Sequence, residues 1–329
     1  MPYAQAHLAA ALYPRLSAAN PNGNIFVSPL SITKALGLAL LRARGDTERQ
    51  MRALLALDAA TPPSSSRDVI DTGDNAIEIG LANALWIGRV APVRPDYVAA
   101  ARDRFGAAQE DIDFKAPGAA DRINQWVARS TRDRITSIIE HVDPDTLAIL
   151  ANALYFKASW TKPFTAAARR PFRTASGTSA SVPMMDVTDR FAYRDKNGVQ
   201  AISLAYGGNA RFTMDIFLPR DPARLAALER NFDALSFFAG APDGDRFALS
   251  AASERTVHLV MPRFELRFKA GFNAALQSAG MTCAFVGSCA DFSGMTDVRV
   301  KIDDVRHPTY LKVDELGTEA AAVTTIASW

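Results

Sequence analysis

The chain has 329 residues, 48% of them apolar, so it can bury a large core as one or two domains. The 37 lysines and arginines nearly balance the 35 aspartates and glutamates, and no stretch interleaves basic with aromatic residues, which argues against a nucleic-acid surface. No run reaches the roughly 18 apolar residues of a membrane span, and the first residues do not form a secretion signal. We expect neither nucleic acid nor a membrane as partner.

Residues that carry reactive or metal-binding chemistry are few. Cys283 and Cys289 are too few for a disulfide framework or a four-ligand zinc site, and either a small local disulfide or two independent thiols fits them. The four histidines have no metal-binding spacing, and no nucleophile elbow or glycine-rich phosphate loop is present. The sequence therefore predicts no metal, no cofactor and no enzyme.

The first quarter of the chain has helical patterns. Residues 7–12 favour a helix that Pro14 would bend or end, and residues 25–27 favour a short apolar strand. Ser28 and Pro29 then form a cap and first position typical of a helix start. A further helix is expected to begin at residues 45–47.

Strand patterns become frequent after residue 76. Alternation over residues 77–87 predicts a long strand, a helix follows at 95–105, a strand ends at 112–114, and another helix carries Ile123 and Val127. Residues 147–156 are apolar on both faces except for Asn152, which predicts a central strand covered on both sides. Further strands at 201–206, 211–218 and 257–268 and a helix near 269–279 complete an α+β chain.

The run from Gly317 to Thr325 has the features of a strand that could insert into a sheet. Its residues are small, and a strand with small side chains can slip between two others without opening a large gap. Alternation places Glu319 on the outward face, where its charge would stay solvated, and the inward face would be formed by Thr318, Ala320, Ala322, Thr324, Ile326 and Ser328. A flexible tail is the competing interpretation.

Five blocks in order make the chain similar to the serpins, and we identify it as an inhibitory, prokaryotic-like member. The blocks are residues 24–32 (NIFVSPLSI), 43–47 (ARGDT), 150–160 (LANALYFKASW, followed by Pro163 and Phe164), 260–264 (VMPRF) and 307–322 (HPTYLKVDELGTEAAA). The resemblance implies an α+β fold of three β-sheets and eight or nine helices. It also implies a reactive loop that a serine or cysteine protease cuts. The cut loop inserts into the central sheet, called sheet A, and carries the acylated protease with it.

The resemblance assigns roles to particular positions. The loop hinge corresponds to Glu315, Gly317, Thr318, Glu319, Ala320, Ala321, Ala322, Val323 and Thr324, and the loop end near the cleavage site to Ile326, Ala327, Ser328 and Trp329. The shutter, which must part for insertion, corresponds to Ser28, Ser31, Asn152 and His307. The breach, where the loop enters, corresponds to Trp160, Arg263 and Glu315. Taken singly, these residues also fit a helix cap, core polar groups and a surface ion pair worth under about 1 kcal/mol.

One departure from the family pattern shapes the expected state. The family's scissile bond falls just past Trp329, and two strands of its sheet B follow that bond. We therefore expect residues 1–329 to be a single serpin domain whose remaining sheet-B strands lie on a separate C-terminal peptide, with the loop already inserted beside residues 147–156. The implied partners are that peptide and a target serine protease. A monomer is expected, and the family favours an extracellular or periplasmic compartment.

The alternative within the family is a non-inhibitory carrier or chaperone. Such members often have bulky, charged or proline residues in the hinge. Here the hinge has Thr318, three alanines at 320–322 and Val323, so the resemblance favours inhibition.

Overall fold

The computed structural model describes residues 2–58, 61, 72–89, 92–174, 176–230, 249 and 252–328. In these ranges the chain forms seven α-helices, where the resemblance implied eight or nine. They are α1 (Pro2–Ala19), α2 (Pro29–Leu40), α3 (Gly45–Leu54), α4 (Pro95–Phe105), α5 (Ala119–Ser130), α6 (Leu225–Arg230) and α7 (Asn273–Ser278).

The described residues also form two β-sheets, where the resemblance implied three. Sheet A contains β1 (Ile77–Ile87), β2 (Ala108–Asp111), β3 (Ala148–Ser159), β9 (Phe264–Phe268), β10 (Ile302–Arg306), β11 (Thr309–Val313) and β12 (Gly317–Ser328). Its strand order is β2-β1-β3-β12-β11-β9, and β10 also pairs with β12. The second sheet contains β4 (Thr165–Arg173), β5 (Ser179–Lys196), β6 (Val199–Ala205), β7 (Thr213–Pro219) and β8 (Glu254–Pro262). The predicted α+β class is confirmed.

Sheet A is covered on both faces, which explains the apolar character of β3. Leu150 and Ile326 face a core formed largely with α2, whereas Ile149, Ala151 and Val323 face a second core formed with α5 and the segment after it. The two-sided burial predicted for residues 147–156 is confirmed.

Helix α2 begins as predicted, because the Ser28 hydroxyl accepts a hydrogen bond from the Ser31 amide and Pro29 takes the first position. The bounds predicted for β1 and α4 are also confirmed. Two predictions nearby are wrong. Helix α1 does not end at Pro14, one of the two effects expected of it, and the turn beyond Pro14 buries Leu16 in the core. Residues 25–27 do not join a strand, and Ile25 and Val27 pack on that core.

The strand predicted over residues 257–268 is two strands in different sheets. Strand β8 ends at Pro262, which lacks an amide hydrogen, and β9 begins at Phe264 in sheet A. The strand expected to end at 112–114 stops at Asp111, and α7 is shorter than the helix predicted near 269–279.

The remaining chemical features are simple. Cys283 and Cys289, which the sequence left open, form a disulfide. Among the described residues, no group of three His, Cys, Asp or Glu side chains is arranged as a metal site. No described helix has both the length and the apolar character needed to cross a membrane.

Candidate insertion site in the central sheet

Strand β12 lies inside sheet A with hydrogen-bonded neighbours on both sides. It pairs antiparallel with β3 from Gly317 opposite Ser159 to Ser328 opposite Ala148. On its other side it pairs antiparallel first with β11 and then with β10. The expected position beside residues 147–156 is confirmed, whereas Trp329 lies outside the described residues.

The alternation of β12 differs from the expectation on its outer face. Val323 is fully buried and Ala321 is 1% exposed, although both belong to the outward set. The reason is that α5 and the segment after it cover this part of the sheet, so both sets of side chains are packed. On the inward set, Ile326 joins the main core as expected.

Glu319 is held by protein groups, so the expectation that its charge stays solvated is wrong. Its side chain is 12% exposed, and its carboxylate forms an ion pair with the Arg134 guanidinium, with 2.8 Å between the nitrogen and the oxygen. The Tyr155 hydroxyl donates a hydrogen bond to it at 2.7 Å. Burial alone raises the pKa of the Glu319 carboxyl, but the hydrogen bonds from Tyr155 and Arg134 and the nearby positive charges outweigh burial and lower it. The carboxylate is therefore ionised in the sheet.

The residues assigned to the shutter meet beneath the middle of β12. The Ser28 amide donates to His307 Nε2 at 2.9 Å, so the proton of the neutral ring sits on Nδ1. Nδ1 lies 2.9 Å from the Val323 carbonyl oxygen and 2.8 Å from Thr324 Oγ1. The Ser31 hydroxyl is 2.9 Å from the same Thr324 oxygen. Ser28, Ser31, His307 and Thr324 form what we call the polar cluster.

His307 is neutral in this cluster. It is fully buried, and burial lowers its pKa to about 3, while its contact with the Val323 carbonyl acts in the opposite direction. A neutral ring is required by the geometry, because Nε2 accepts a hydrogen bond from the Ser28 amide.

Asn152 belongs to the same region but has different partners. Its amide nitrogen donates to Asn83 Oδ1 at 3.0 Å, and Asn83 in turn donates to the Phe105 carbonyl at 2.7 Å. Asn152 contacts the polar cluster through its backbone: its carbonyl oxygen lies 3.5 Å from Ser31 Oγ, and it is the strand partner of Thr324. Sequence reasoning missed Asn83, whose signal was a second polar interruption in an apolar strand.

The residues assigned to the breach lie at the start of β12. Trp160 stacks on Tyr206 with ring centroids 4.4 Å apart, and its indole nitrogen donates to the Asp314 carbonyl at 2.9 Å. The Tyr206 hydroxyl donates to Thr318 Oγ1 at 2.6 Å, so the stacked pair contacts the second residue of β12. Tyr206 could not be identified from the sequence, because it reaches Trp160 through an isolated antiparallel β-bridge between these two residues.

Arg263 and Glu315 form the expected pair at 3.7 Å. The Arg263 side chain is 55% exposed and the Glu315 side chain 19%, so the pair is weak. The backbone fixes this end of β12 more firmly, since the Trp160 amide donates to the Leu316 carbonyl and the Phe164 amide to the Glu315 carbonyl, both at 2.9 Å.

The family model described as serpin (serine protease inhibitor) matches residues 3–329. The leukocyte elastase inhibitor of Sus scrofa is 34% identical over 95% of this chain and 85% of its own length. A solved structure of cleaved Serpin 42Da superposes with a TM-score of 0.87 at 27% identity, covering 99% of this chain and 88% of that one. Thyroxine-binding globulin complexed with a thyroxine–fluorescein ligand has the same fold, with a TM-score of 0.86 at 24% identity over 99% of this chain and 97% of that one.

One relative is thus named as a protease inhibitor, and one protein of the same fold is named as a thyroxine-binding globulin. The match to the family model spans nearly the whole chain, and the relatedness to the elastase inhibitor extends over most of both sequences. The chain belongs to the serpin family.

Proposed function

We propose that the protein inhibits serine proteases by inserting its cleaved loop into sheet A. The proposal extends to cysteine proteases that cut the same loop and become acylated by it. The observation that supports this most directly is β12 itself, whose 12 residues all pair with β3 and nine of which pair with β11 or β10 on the other side. Its hinge residues are small enough to enter a closed sheet. Because each molecule would be consumed by one cleavage, the protein acts as an inhibitor and not as a catalyst.

The energy available from insertion is large enough for such a mechanism. Twelve residues gain ladder hydrogen bonds on entering the sheet. At about 0.5–1.5 kcal/mol net for each bond, the sum is about 10 kcal/mol before packing is counted. An ordinary domain is stable by a similar amount, so this energy is enough to distort a protease attached to the loop.

Ser28, Ser31, Asn152 and His307 are proposed as the shutter. The Ser31 hydroxyl and the His307 imidazole contact Thr324, a residue that is present in the sheet only when β12 is inserted. Buried polar groups favour discrete arrangements because an unmade bond is costly. The cluster then has one set of bonds with β12 inserted and must form another set without it.

The residues around Trp160 are proposed as the breach. The stacked pair of Trp160 and Tyr206 contacts Thr318, the second residue of β12. Contacts at this end form first if insertion proceeds from the hinge toward the loop end. Arg263 and Glu315 would then contribute a weaker, partly exposed contact at the same point.

We also propose that a separate C-terminal peptide of the same protein completes the second sheet. Strand β7 pairs only with β6 among the described strands, and its Leu218 is 59% exposed. An apolar cavity of about 530 Å3 lies nearby, between α1 and sheet A, with Phe212 and Phe156 in its wall. Two strands paired along β7 would cover its free edge, and their apolar side chains would reach into this cavity.

The competing proposal is a carrier. The same apolar cavity has the character of a small-molecule site, and a protein named as a thyroxine-binding globulin shares the fold. The small hinge residues favour inhibition over this alternative.

A panel of serine and cysteine proteases tests the proposal. The uncleaved protein is incubated with each protease and analysed on a denaturing gel. Inhibition predicts a covalent complex that survives denaturation, and a protease whose nucleophilic serine is replaced by alanine must give none. Cleavage by every protease without any stable complex would reject inhibition and favour the carrier.

A further inference from the structure

A row of charged side chains crosses the outer face of sheet A at one level. The strand registers place one charged residue on each of five neighbouring strands. In strand order from β1 to β9, the paired residues are Glu78, Lys157, Glu319, Lys312 and Glu265. The signs alternate at every step. We call these five residues the charge row.

Glu319 is the central member of the charge row and differs from the others. It is the only charged residue in β12. Its side chain is 12% exposed, against 47% for Glu78 and 50% for Glu265. The alternating row is therefore complete only while β12 is in the sheet.

Every element packed around Glu319 presents a positive or hydrogen-bonding group to it. Strand β3 contributes Lys157 and the Tyr155 hydroxyl, and the segment after α5 contributes Arg134. Strand β11 contributes Lys312, which also pairs with Asp314 at 3.0 Å. Burial raises the pKa of Glu319, whereas the hydrogen bonds from Tyr155 and Arg134 lower it. The charges of Arg134 and Lys157 lower it further, so the pKa stays below its usual value.

Removing β12 reverses the electrostatics of this place. If β3 and β11 close on each other, Lys157 and Lys312 lie on adjacent strands without an anion between them. Like charges opposed across strands destabilise a sheet, and opposite charges stabilise it. Entry of Glu319 turns one repulsive contact into two attractive ones.

The rest of the hinge specifies its register poorly. Residues 320–322 are three consecutive alanines, so a slip by two residues would exchange one small side chain for another. A slip by two residues would, however, move Glu319 away from Arg134 and Tyr155. Its carboxylate would then no longer lie between Lys157 and Lys312. Among residues 318–322, the carboxylate of Glu319 is thus the group that distinguishes the correct register.

We propose that Glu319 is a positioning residue for loop insertion, drawing β12 between Lys157 and Lys312 and fixing its register. This proposal rests on the proposed insertion of β12 but not on the trapping of any protease.

The test follows insertion without trapping. The loop of the uncleaved protein is cut with a metalloprotease, which forms no acyl-enzyme, and insertion is timed by tryptophan fluorescence and by the gain of heat resistance. The variants are Glu319→Gln, which removes the charge, and Glu319→Asp, which keeps it. Glu48→Gln is the matched control, because Glu48 also accepts an arginine pair at 2.8 Å but lies on α3.

Glu319→Gln is expected to slow insertion about tenfold, the size expected when a charge-assisted hydrogen bond is lost. Glu319→Asp should recover most of the rate, and Glu48→Gln should match wild type. Raising the salt concentration from about 0.05 M to about 0.5 M should slow wild type more than Glu319→Gln, because salt screens the attraction between Glu319 and the row, which the variant lacks.

Equal insertion rates and equal salt dependence in wild type and Glu319→Gln would overturn the proposal. Lys312→Gln tests the row at an exposed position outside β12, so a folding defect at position 319 does not decide the outcome. Insertion of the Lys312→Gln variant should depend less on salt than insertion of wild type. An unchanged salt dependence in this variant would also count against the proposal. If wild type itself gains no heat resistance after cleavage, insertion and the proposed function fail instead.

Discussion

Acidification should weaken the inserted state through His307. The ring is fully buried and neutral, with Nε2 accepting from the Ser28 amide and Nδ1 facing Val323 and Thr324. Protonating Nε2 would break the bond to Ser28 and place a charge in the core. The relevant change is therefore a fall in pH through the range in which a histidine in the unfolded chain becomes protonated.

The magnitude follows from the pKa of His307, which burial lowers from 6.5 to about 3. Between these values the unfolded chain binds a proton that the folded chain does not. The stabilisation is fully present above pH 6.5 and is lost as the pH falls, by about 1.4 kcal/mol for each pH unit. From pH 6.5 to about pH 5 the free energy of unfolding should fall by about 2 kcal/mol. Carboxylates of lowered pKa lose their contribution mainly below about pH 4, outside this window.

Urea unfolding at a series of pH values measures this slope. His307→Gln is the comparison variant, because a glutamine amide can accept from the Ser28 amide and donate to the Val323 carbonyl without titrating. Wild type should lose stability between pH 6.5 and about pH 5, and the difference between the two proteins should shrink by about 2 kcal/mol. Parallel pH profiles for wild type and His307→Gln would refute the reasoning.

Three further predictions concern residues in or around β12. Thr324→Val removes the partner of Ser31 and His307 and should lower the free energy of unfolding by about 1–3 kcal/mol in urea, whereas Thr324→Ser should not; equal losses would contradict the role of the hydroxyl. Ile326→Asp places a charge in the core beside Leu150 and Val305, so protease incubation should yield cleaved protein with little covalent complex, and wild-type complex yields would be inconsistent with deep insertion. Trp160→Ala should cost about 3–5 kcal/mol in unfolding free energy through lost packing on Tyr206, and a loss under about 1 kcal/mol would argue against a structural role for the stack.

Local chemistry explains which elements could be predicted from the sequence. The cap of Ser28 and Pro29 marks the start of α2, and the alternation of residues 77–87 gives β1 its bounds. Strand β3 could be placed at the centre of a sheet because apolar residues occupy both of its faces. The small residues of β12 indicated insertion, and the resemblance indicated where.

The incorrect predictions depended on distant contacts. Burial of Leu16 overrides the tendency of Pro14 to end α1. The outer face of β12 was expected to be solvated, because the sequence does not show that α5 lies over it. The charge row could not be predicted either, since Lys157, Glu319 and Lys312 become neighbours only through the registers of three strands.

Under the proposed function, the uncleaved protein holds the energy of loop insertion in reserve, and that energy is released when the loop is cut and enters sheet A as β12. Thermal unfolding of the same preparation before and after cleavage within the loop tests this most directly. Insertion predicts a large rise in the unfolding temperature after cleavage, because about 10 kcal/mol of ladder hydrogen bonding is gained. An unfolding temperature that stays the same or falls after cleavage would contradict the account.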